Sequence, residues 1–402
     1  MPFLSEDFYM PTPTKANRSA FHRVTAPLFI LVGALGTPFE VDAQSVTNFY
    51  GLLDAGVRVD SKAPQAPPGG ASTLTSLGSG ILNASRWGLK GSENLGNDLK
   101  ASFNLESGFS ATTGAALDRA SLFERRATLG LAGDWGRLDL GRNTTFGYDV
   151  AAGYVLDPLG QELSSRKQGT LKKIWNINPL TMLYSGHATT IRRDNAIKYL
   201  GQFGDVSLGL AYALGAGSSS ANASLQALVR YTVRGLDAAT TYDDLTDSTA
   251  TKHLKTYSLG GNYDFSGLKL TLGYTEQRAD AGFVTSSGVL AGATPTPIYA
   301  YVYGATSATQ GVKLSVADVG LAYDLTPALN VVGAYYQTLL SADGINSTKL
   351  NTYVIRARYA LSKTTGLYAE LDQSNSGGIA ATHTSAQATS DTGFAAGLQV
   401  RF

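Results

Sequence analysis

The sequence predicts an all-β protein whose strands close into a sixteen-stranded antiparallel transmembrane barrel, and three observations carry this prediction. Segments of about ten residues, the length that a tilted membrane strand needs, alternate apolar with polar side chains along much of the chain. Short connections alternate with long ones rich in Gly, Ser, Thr and Ala. The mean hydropathy is -0.04, and no apolar run reaches about 18 residues, so helical spans are excluded while half-apolar strands are not.

The composition narrows the class of protein further. The 402 residues include 32 basic and 31 acidic side chains, and this near-neutral balance argues against a nucleic-acid partner. There is no cysteine, which fits an exported protein that needs no disulfides. The chain carries no phosphate-binding loop, nucleophile elbow or histidine pair at metal spacing. The sequence therefore predicts neither an enzyme nor a cofactor or metal site.

Residues 1–43 have the pattern of a cleaved signal peptide. Lys15, Arg18 and Arg23 precede the apolar run VTAPLFILVGALG, which is too short to span a bilayer, and VDA at positions 41–43 supplies the small residues that a signal peptidase needs. Met10 is an alternative start, because MPFLSEDFY before it is acidic. The alternative interpretation is a disordered tail with a chance apolar patch. We predict an export signal over 1–43 and a barrel over 44–402.

Strands follow one another from position 45 onwards. The first, SVTNFYGLLDAGVRVD, puts Phe49, Leu53 and Val57 on one face and Asp54 and Arg58 on the other. Four more lie between positions 84 and 143. The short connections are SENLGND, AGDWGR, GQFGD, RGLD, DFSG, LTPAL and LSKTT, and the longest of the long ones covers positions 148–191. Counting one strand on each side of every connection gives sixteen strands, an even number that closes a barrel without edges.

The later strands keep the same two-residue period. One face carries Val206, Leu208 and Leu210, then Val229 and Tyr231, then Leu268, Leu270 and Leu272. Aromatic side chains near strand ends are predicted to form the two girdles that flank the lipid band: Tyr257, Tyr263, Phe265, Tyr323, Tyr335, Tyr353, Tyr359 and Tyr368. The last strand, TGFAAGLQVRF, ends with Phe402 on its apolar face.

Five motifs in order along the chain carry a resemblance to a known family: FYGLLDAGV, SRWGLKGSENLGNDLKASFNLESGF, SLFERRATLGLAGDWGRLDLGRN, RRDNAIKY and GLQVRF. With them the chain resembles the sixteen-stranded general diffusion porins of Gram-negative outer membranes, in their β-proteobacterial branch. The resemblance implies a homotrimer in the outer membrane, in contact with its lipid and lipopolysaccharide, that passes small hydrophilic solutes through water-filled pores. It also implies that the barrel-assembly machinery reads Phe402. The long loop after the fifth strand, here positions 148–191, would fold into the pore and narrow it.

The resemblance and the alternation together indicate candidate pore residues. The family sets a cluster of wall arginines against acidic groups of the infolded loop, and the matching motifs place these arginines at Arg86, Arg125 and Arg192. The alternation puts Arg86 on the polar face of its strand. It also puts Arg192 on the polar face of its own strand, together with Asp194. It favours Arg126 over Arg125 as the inward residue. We predict Arg125, because strands near a subunit contact need not turn an apolar face to lipid.

The loop and the strand walls supply the remaining predicted pore residues. On the loop these are Asp149, Asp157, Glu162 and the basic Lys167. Across the inward faces we count twelve basic against six acidic side chains, with Asp54, Arg58, Lys100, Glu106, Arg356 and Arg358 among those that line the lumen. A positive wall favours anions, so we expect a mild anion preference. Two alternatives stay open: a porin selective for organic or phosphorylated anions, and a structural or adhesive barrel with a plugged lumen.

Overall fold

The computed structural model describes residues 46–64, 71–162, 191–215, 220–285, 296–297, 311–342, 345–377 and 390–402. The strands in chain order are β1 Val46–Pro64, β2 Ala71–Ser79, β3 Arg86–Gly96, β4 Leu99–Gly108, β5 Arg126–Gly133, β6 Gly136–Thr144, β7 Arg192–Phe203, β8 Val206–Ala213, β9 Ser224–Val233, β10 Leu236–Thr246, β11 His253–Asp264, β12 Leu268–Ala279, β13 Val284–Thr285, β14 Thr296–Pro297, β15 Val312–Thr326, β16 Leu329–Ala342, β17 Ile345–Ala360, β18 Thr365–Gly377 and β19 Ser390–Arg401. The predicted signal segment, 1–43, lies outside the described residues.

The strands form a closed antiparallel barrel. Each long strand pairs with its sequence neighbours, and β19 returns to pair with β1. β2 and β3 share one position in the barrel, because β2 pairs with one half of β1 and β3 pairs with the other half. β13 and β14 form a separate hairpin outside this sheet. The barrel therefore has sixteen strand positions, and the predicted fold is confirmed.

The two faces of the barrel wall have the polarity of a membrane protein. On β12, Leu268, Leu272 and Tyr274 are exposed on the outside, whereas Thr271 and Thr275, which point to the opposite face, are buried. A water-soluble barrel would show the reverse pattern. Large exposed apolar side chains recur on the outside of the other strands, so the outer face suits hydrocarbon and the inner face suits water.

The strand position shared by β2 and β3 is interrupted at residues 80–85, which turn inward. The Asp54 carboxylate accepts the backbone N–H groups of Ile81, Leu82 and Asn83 at 3.1, 3.2 and 2.9 Å. Ile81 and Leu82 are fully buried beside Tyr368. The hydroxyl of Tyr368 donates to Asp54 at 2.8 Å, so Tyr368 faces inward and does not belong to the girdle in which the sequence placed it. Asp54 is thus the anchor of the inward turn.

A short helix follows β6 and lies inside the barrel. α1 covers Phe146–Ala152, and its N-cap Thr145 accepts the backbone N–H of Tyr148 through its side chain at 3.2 Å. Phe146 and Val150 pack with Leu228 of the barrel wall in a buried apolar cluster. Among the residues that the structure describes, no helix is long and apolar enough to cross a membrane. The loop predicted to narrow the pore, positions 148–191, begins within α1, and its residues 148–162 and 191 are described.

The chain end closes the barrel at the end where the short connections lie. The backbone N–H of Gly51 donates to the carbonyl of Phe402 at 2.9 Å, and the N–H of Phe402 donates to the carbonyl of Gly51 at 3.1 Å. The Phe402 ring lies over Gly51, where an added Cβ would come within 2.3 Å of it. The ring also packs on Phe49 at 5.6 Å between centroids. Position 51 therefore requires glycine if the terminal aromatic is to keep this place.

Candidate functional site

The barrel encloses a cavity of about 790 Å³ that extends from its middle to the short-connection end. Arginines from β3, β5 and β7 line one end of it, the segment after β6 lines a side, and Lys363 and Arg401 line the other end. The cavity joins the predicted pore residues to the chain end. It is therefore the candidate path for solutes through the described part of the barrel.

Glu106 is the carboxylate around which the wall arginines gather. Its Oε1 lies 2.5 Å from Nε of Arg125, and its Oε2 lies 3.4 Å from Nε of Arg86. The hydroxyl of Tyr50 donates to Oε2 at 3.1 Å. Because one carboxylate contacts two guanidinium groups, it fixes both side chains on the cavity wall, and the cluster keeps a net positive charge.

Arg125 and Arg126 both line the cavity. β5 begins at Arg126, so Arg125 lies in the connection before the strand and the alternation of strand faces does not apply to it. The backbone N–H of Arg125 donates to the carbonyl of Glu106 at 3.2 Å, and Nη2 of Arg126 donates to Oγ1 of Thr144 at 3.3 Å. The sequence posed a choice between Arg125 and Arg126 as the inward residue, but both side chains face the cavity.

Electrostatics favour the charged form of Arg125. Burial opposes the charge on this guanidinium, but the Glu106 carboxylate, together with Tyr148 and Glu124, outweighs burial and raises the pKa of Arg125. In the same connection, burial raises the pKa of the Glu124 carboxyl, although this carboxylate accepts the backbone N–H of Gly108 at 2.8 Å. Arg125 is thus a permanent positive charge on the cavity wall.

Arg192 reaches the same cluster from the start of β7. Its Nε donates to the carbonyl of Arg125 at 2.6 Å, and it lines the cavity. The ladder between β6 and β7 shifts register after Gly141, which resets the alternation near the start of β7. Asp194, which the alternation placed inside, is therefore on the outside: its side chain is 64 % exposed and pairs with Arg142.

The segment after β6 brings two of its three predicted acids to the cavity. Asp149 lines it and pairs with Lys198 of β7. Glu162 lines it and lies 2.5 Å from Nη2 of Arg358. Asp157 is 1 % exposed and lies outside the residues that line the cavity. Lys167 falls outside the described residues.

Asp157 and Glu162 have different local roles. The Asp157 carboxylate accepts the backbone N–H groups of Leu159 and Gln161 at 3.0 and 2.7 Å and the hydroxyl of Tyr336 at 2.6 Å. It therefore fixes a turn against the wall. Glu162 contacts Nη1 of Arg356 at 3.1 Å and the side-chain amide of Asn83. Because Asn83 belongs to the inward turn of residues 80–85, Glu162 links the segment to that turn.

Three of the predicted lumen-lining residues face inward but are covered. Asp54 and Arg58 have no exposed surface, and Arg356 is 1 % exposed. Arg58 pairs with Asp60 at 2.6 Å and with Asp372 at 2.7 Å. These three side chains therefore join segments of the protein and do not contact channel water, because the inward turn and the segment after β6 cover the wall at these positions. Two others are placed differently: Lys100 is exposed, and Arg358 is half-buried.

Several cavity residues were not among the predicted pore residues. Arg401 lies on the inward-facing side of β19. The same alternation that predicted an outward position for Phe402 therefore also predicts an inward position for Arg401. Tyr50 likewise shares the inward parity of Asp54 and Arg58 on β1, and its hydroxyl donates to Glu106. Tyr154 lies outside the strands, where alternation gives no signal, and its hydroxyl donates to Glu162 of the same segment. In the described residues no group of three His, Asp or Glu side chains could hold a metal ion. The cavity is lined by seven basic side chains, Arg86, Lys90, Arg125, Arg126, Arg192, Lys363 and Arg401, against three acidic ones, Glu106, Asp149 and Glu162.

Comparison with known proteins gives a consistent set of relatives. The family model described as "Gram-negative porin" matches residues 41–378. An outer membrane porin protein of Bordetella pertussis is 30 % identical over 375 residues, which cover 85 % of this chain and 92 % of the relative. Outer membrane porin protein 32 of Delftia acidovorans is 29 % identical over 191 residues, 46 % of this chain and 48 % of that protein.

Solved structures share the fold at lower sequence identity. The anion-selective porin from Comamonas acidovorans superposes with a TM-score of 0.66 at 21 % identity, covering 89 % of this chain and 100 % of the other. The trimer form of OmpT from Vibrio cholerae superposes with a TM-score of 0.61 at 13 % identity, covering 89 % of this chain and 99 % of the other. At these identities the structural likeness concerns the barrel itself.

Proposed function

Because the chain belongs to the Gram-negative porin family, we propose that its channel passes small hydrophilic anions more readily than cations. Family membership makes the protein an outer-membrane channel for passive diffusion and not an enzyme. The observation that carries the anion preference is the excess of basic over acidic side chains on the cavity wall. The Comamonas acidovorans porin is itself anion-selective, which agrees in sign with this proposal.

The mechanism combines size exclusion with an electric field. The low-dielectric barrel wall concentrates the field of the arginine cluster in the water of the cavity and raises the local concentration of anions. Glu106 keeps Arg86 and Arg125 in place while it neutralises part of their charge. Guanidinium groups offer paired N–H donors that match carboxylate and phosphate oxygens, so hydrated organic anions are suitable solutes as well as chloride.

The segment after β6 supplies the size limit in this proposal. Its described part packs on the wall near α1 through Phe146 and Val150 and reaches the wall at β17 through Glu162. Both ends of this part are thereby fastened to the barrel. The proposal assigns the narrowing to positions 148–191, of which 163–190 lie outside the described residues.

Export and assembly complete the proposal. A signal peptide over residues 1–43 would direct the chain to the periplasm, and the barrel over 44–402 would then insert with the barrel-assembly machinery, which reads Phe402. The exposed outer position of the Phe402 ring supports this role. The working form is a homotrimer. In support, the Vibrio cholerae relative with the same barrel has a trimer form.

Swelling of liposomes that contain the purified protein tests the proposed function. Glucose, gluconate and glucosamine have nearly the same size but are neutral, anionic and cationic, so their relative rates isolate the effect of charge. We expect gluconate to enter fastest and glucosamine slowest, because the wall attracts the anion and repels the cation. Equal rates for the three would contradict the anion preference. Absence of swelling with all three would favour a plugged structural barrel, and saturation with gluconate alone would favour a substrate-selective porin.

A further inference from the structure

The segment after β6 crosses the inner wall of the barrel strand by strand. Phe146 of α1 belongs to a buried apolar cluster with Ala211 of β8 and Ala239 of β10. Farther along the segment, the side-chain amide of Asn262 on β11 donates to the carbonyl of Tyr154 at 2.9 Å. Because the two alanines are small and the amide reaches the backbone directly, the segment lies close to the sheet.

Three glycines of the wall lie directly beneath this segment, each between two outward-facing apolar residues of its strand: Gly209 of β8, Gly273 of β12 and Gly320 of β15. A Cβ added at Gly209 would come within 2.5 Å of Cζ of Phe146. A Cβ added at Gly320 would come within 2.7 Å of Cγ of Pro158 and closer still to its Cβ. The segment therefore occupies the space that a side chain would take at these positions.

The backbone conformation of these strands does not account for the glycines. None of the three has a positive φ, so the strands themselves would accept other residues. Glycine inside a strand weakens it and often marks a place where another backbone approaches closely. Gly273 shows this approach, because a Cβ added there would meet the carbonyl oxygen of Leu156. Glycine is therefore required by the segment and not by the strands.

We propose that the groove formed by Gly209, Gly273 and Gly320 sets the size limit of the channel, because it fixes how far the segment after β6 stands out from the wall. This inference rests on the proposed function, which assigns the narrowing to that segment. Tyr148 and Tyr154 of the segment line the cavity, so a segment lifted from the groove carries them into the lumen. The three glycines act as positioning residues, since the segment lies between them and the channel water.

Gly320→Ala tests the groove most sharply, because the two atoms nearest to an added Cβ both belong to the buried Pro158. Carbon atoms in ordinary contact lie about 3.5–4.0 Å apart, so Pro158 would have to move by about 1 Å or more towards the channel axis. We expect the single-channel conductance in planar bilayers to fall by at least about 1.3-fold. The rate of liposome swelling in sucrose, relative to that in arabinose, should fall by at least about twofold. Both sugars are uncharged, so their ratio reports size alone.

Two controls separate this contact from a general effect of replacing glycine. Pro158→Gly removes the atoms that the new Cβ would meet, so Gly320→Ala/Pro158→Gly should conduct like Pro158→Gly alone. Gly333→Ala makes the same change on the neighbouring strand β16, where an added Cβ has no atom within 4 Å, and should conduct like the wild type. The reversal potential under a KCl gradient should stay unchanged in all these variants, because none of them alters a charge.

An equal or higher conductance in Gly320→Ala would overturn the proposal, and so would a fall that Pro158→Gly does not reverse. Failure of the proposed size limit would look different, because the wild-type channel itself would then pass sucrose and arabinose at equal rates. Retention of the heat-modifiable band on SDS gels checks that each variant folds. If Gly320→Ala loses that band, Gly209→Ala gives the same test, with Phe146→Leu as the substitution that relieves the contact.

Discussion

Replacing Arg86, Arg125 and Arg192 together by Ala is expected to abolish the anion preference of the channel. These three guanidinium groups line one end of the cavity, and two of them contact Glu106. Without them the cavity lining keeps four basic side chains, Lys90, Arg126, Lys363 and Arg401, against three acidic ones, so its charge is nearly balanced. The ratio of chloride to potassium permeability should fall to about 1 or below, as read from the reversal potential in planar bilayers under a KCl gradient.

Matched variants separate this effect from a change in net charge or in folding. Arg119→Ala/Arg137→Ala/Lys252→Ala removes three positive charges outside the cavity lining and should keep the wild-type reversal potential. Arg192→Ala alone leaves the contacts of Glu106 with Arg86 and Arg125 intact and should lower the anion preference in part. An unchanged reversal potential in both arginine variants would show that the cluster does not set selectivity.

Asp54→Ala is expected to be among the most destabilising single substitutions in the barrel. The carboxylate accepts three backbone N–H groups of the inward turn, the hydroxyl of Tyr368 and the side-chain amide of Gln399. It is fully buried, so its removal leaves buried donors without their acceptor. We expect the free energy of unfolding to fall by at least about 3 kcal/mol.

Urea unfolding of the protein in lipid vesicles, followed by tryptophan fluorescence, measures this loss. Asp205→Ala is the control: Asp205 is an exposed acid in a short connection, and its removal should change the free energy of unfolding by less than about 0.5 kcal/mol. If the inward turn is held by its apolar contacts alone, Asp54→Ala will unfold at the same urea concentration as the control. That result would contradict the role assigned to Asp54.

The fold was predictable because the two-residue period of a strand acts locally. Leu268, Leu270 and Leu272 share a face whatever the rest of the chain does, and the sequence shows that face directly. In lipid every backbone N–H and C=O group must be hydrogen-bonded within the protein, so the sheet must close without a free edge. The number of strands then gives a barrel of sixteen positions. Even the interruption between β2 and β3 did not disturb the count, because the two pieces pair with successive halves of β1.

The candidate site was less predictable, because its residues lie where the period fails. Arg125 precedes its strand, so the alternation of β5 does not apply to it. Asp194 lies where the ladder between β6 and β7 shifts register, so the alternation assigns it to the wrong face. Asp54 has the inward parity expected of a lumen residue, yet a turn of the neighbouring strand position covers it. Such covering depends on contacts between distant parts of the chain, which a local pattern cannot contain.

The most direct test of the account is the reversal potential of single wild-type channels in a planar bilayer under a KCl gradient. The positive excess on the cavity wall predicts an open channel whose reversal potential lies towards the equilibrium potential of chloride. A reversal potential at zero, or one towards the equilibrium potential of potassium, would contradict the proposal that the arginine cluster around Glu106 governs passage through the pore.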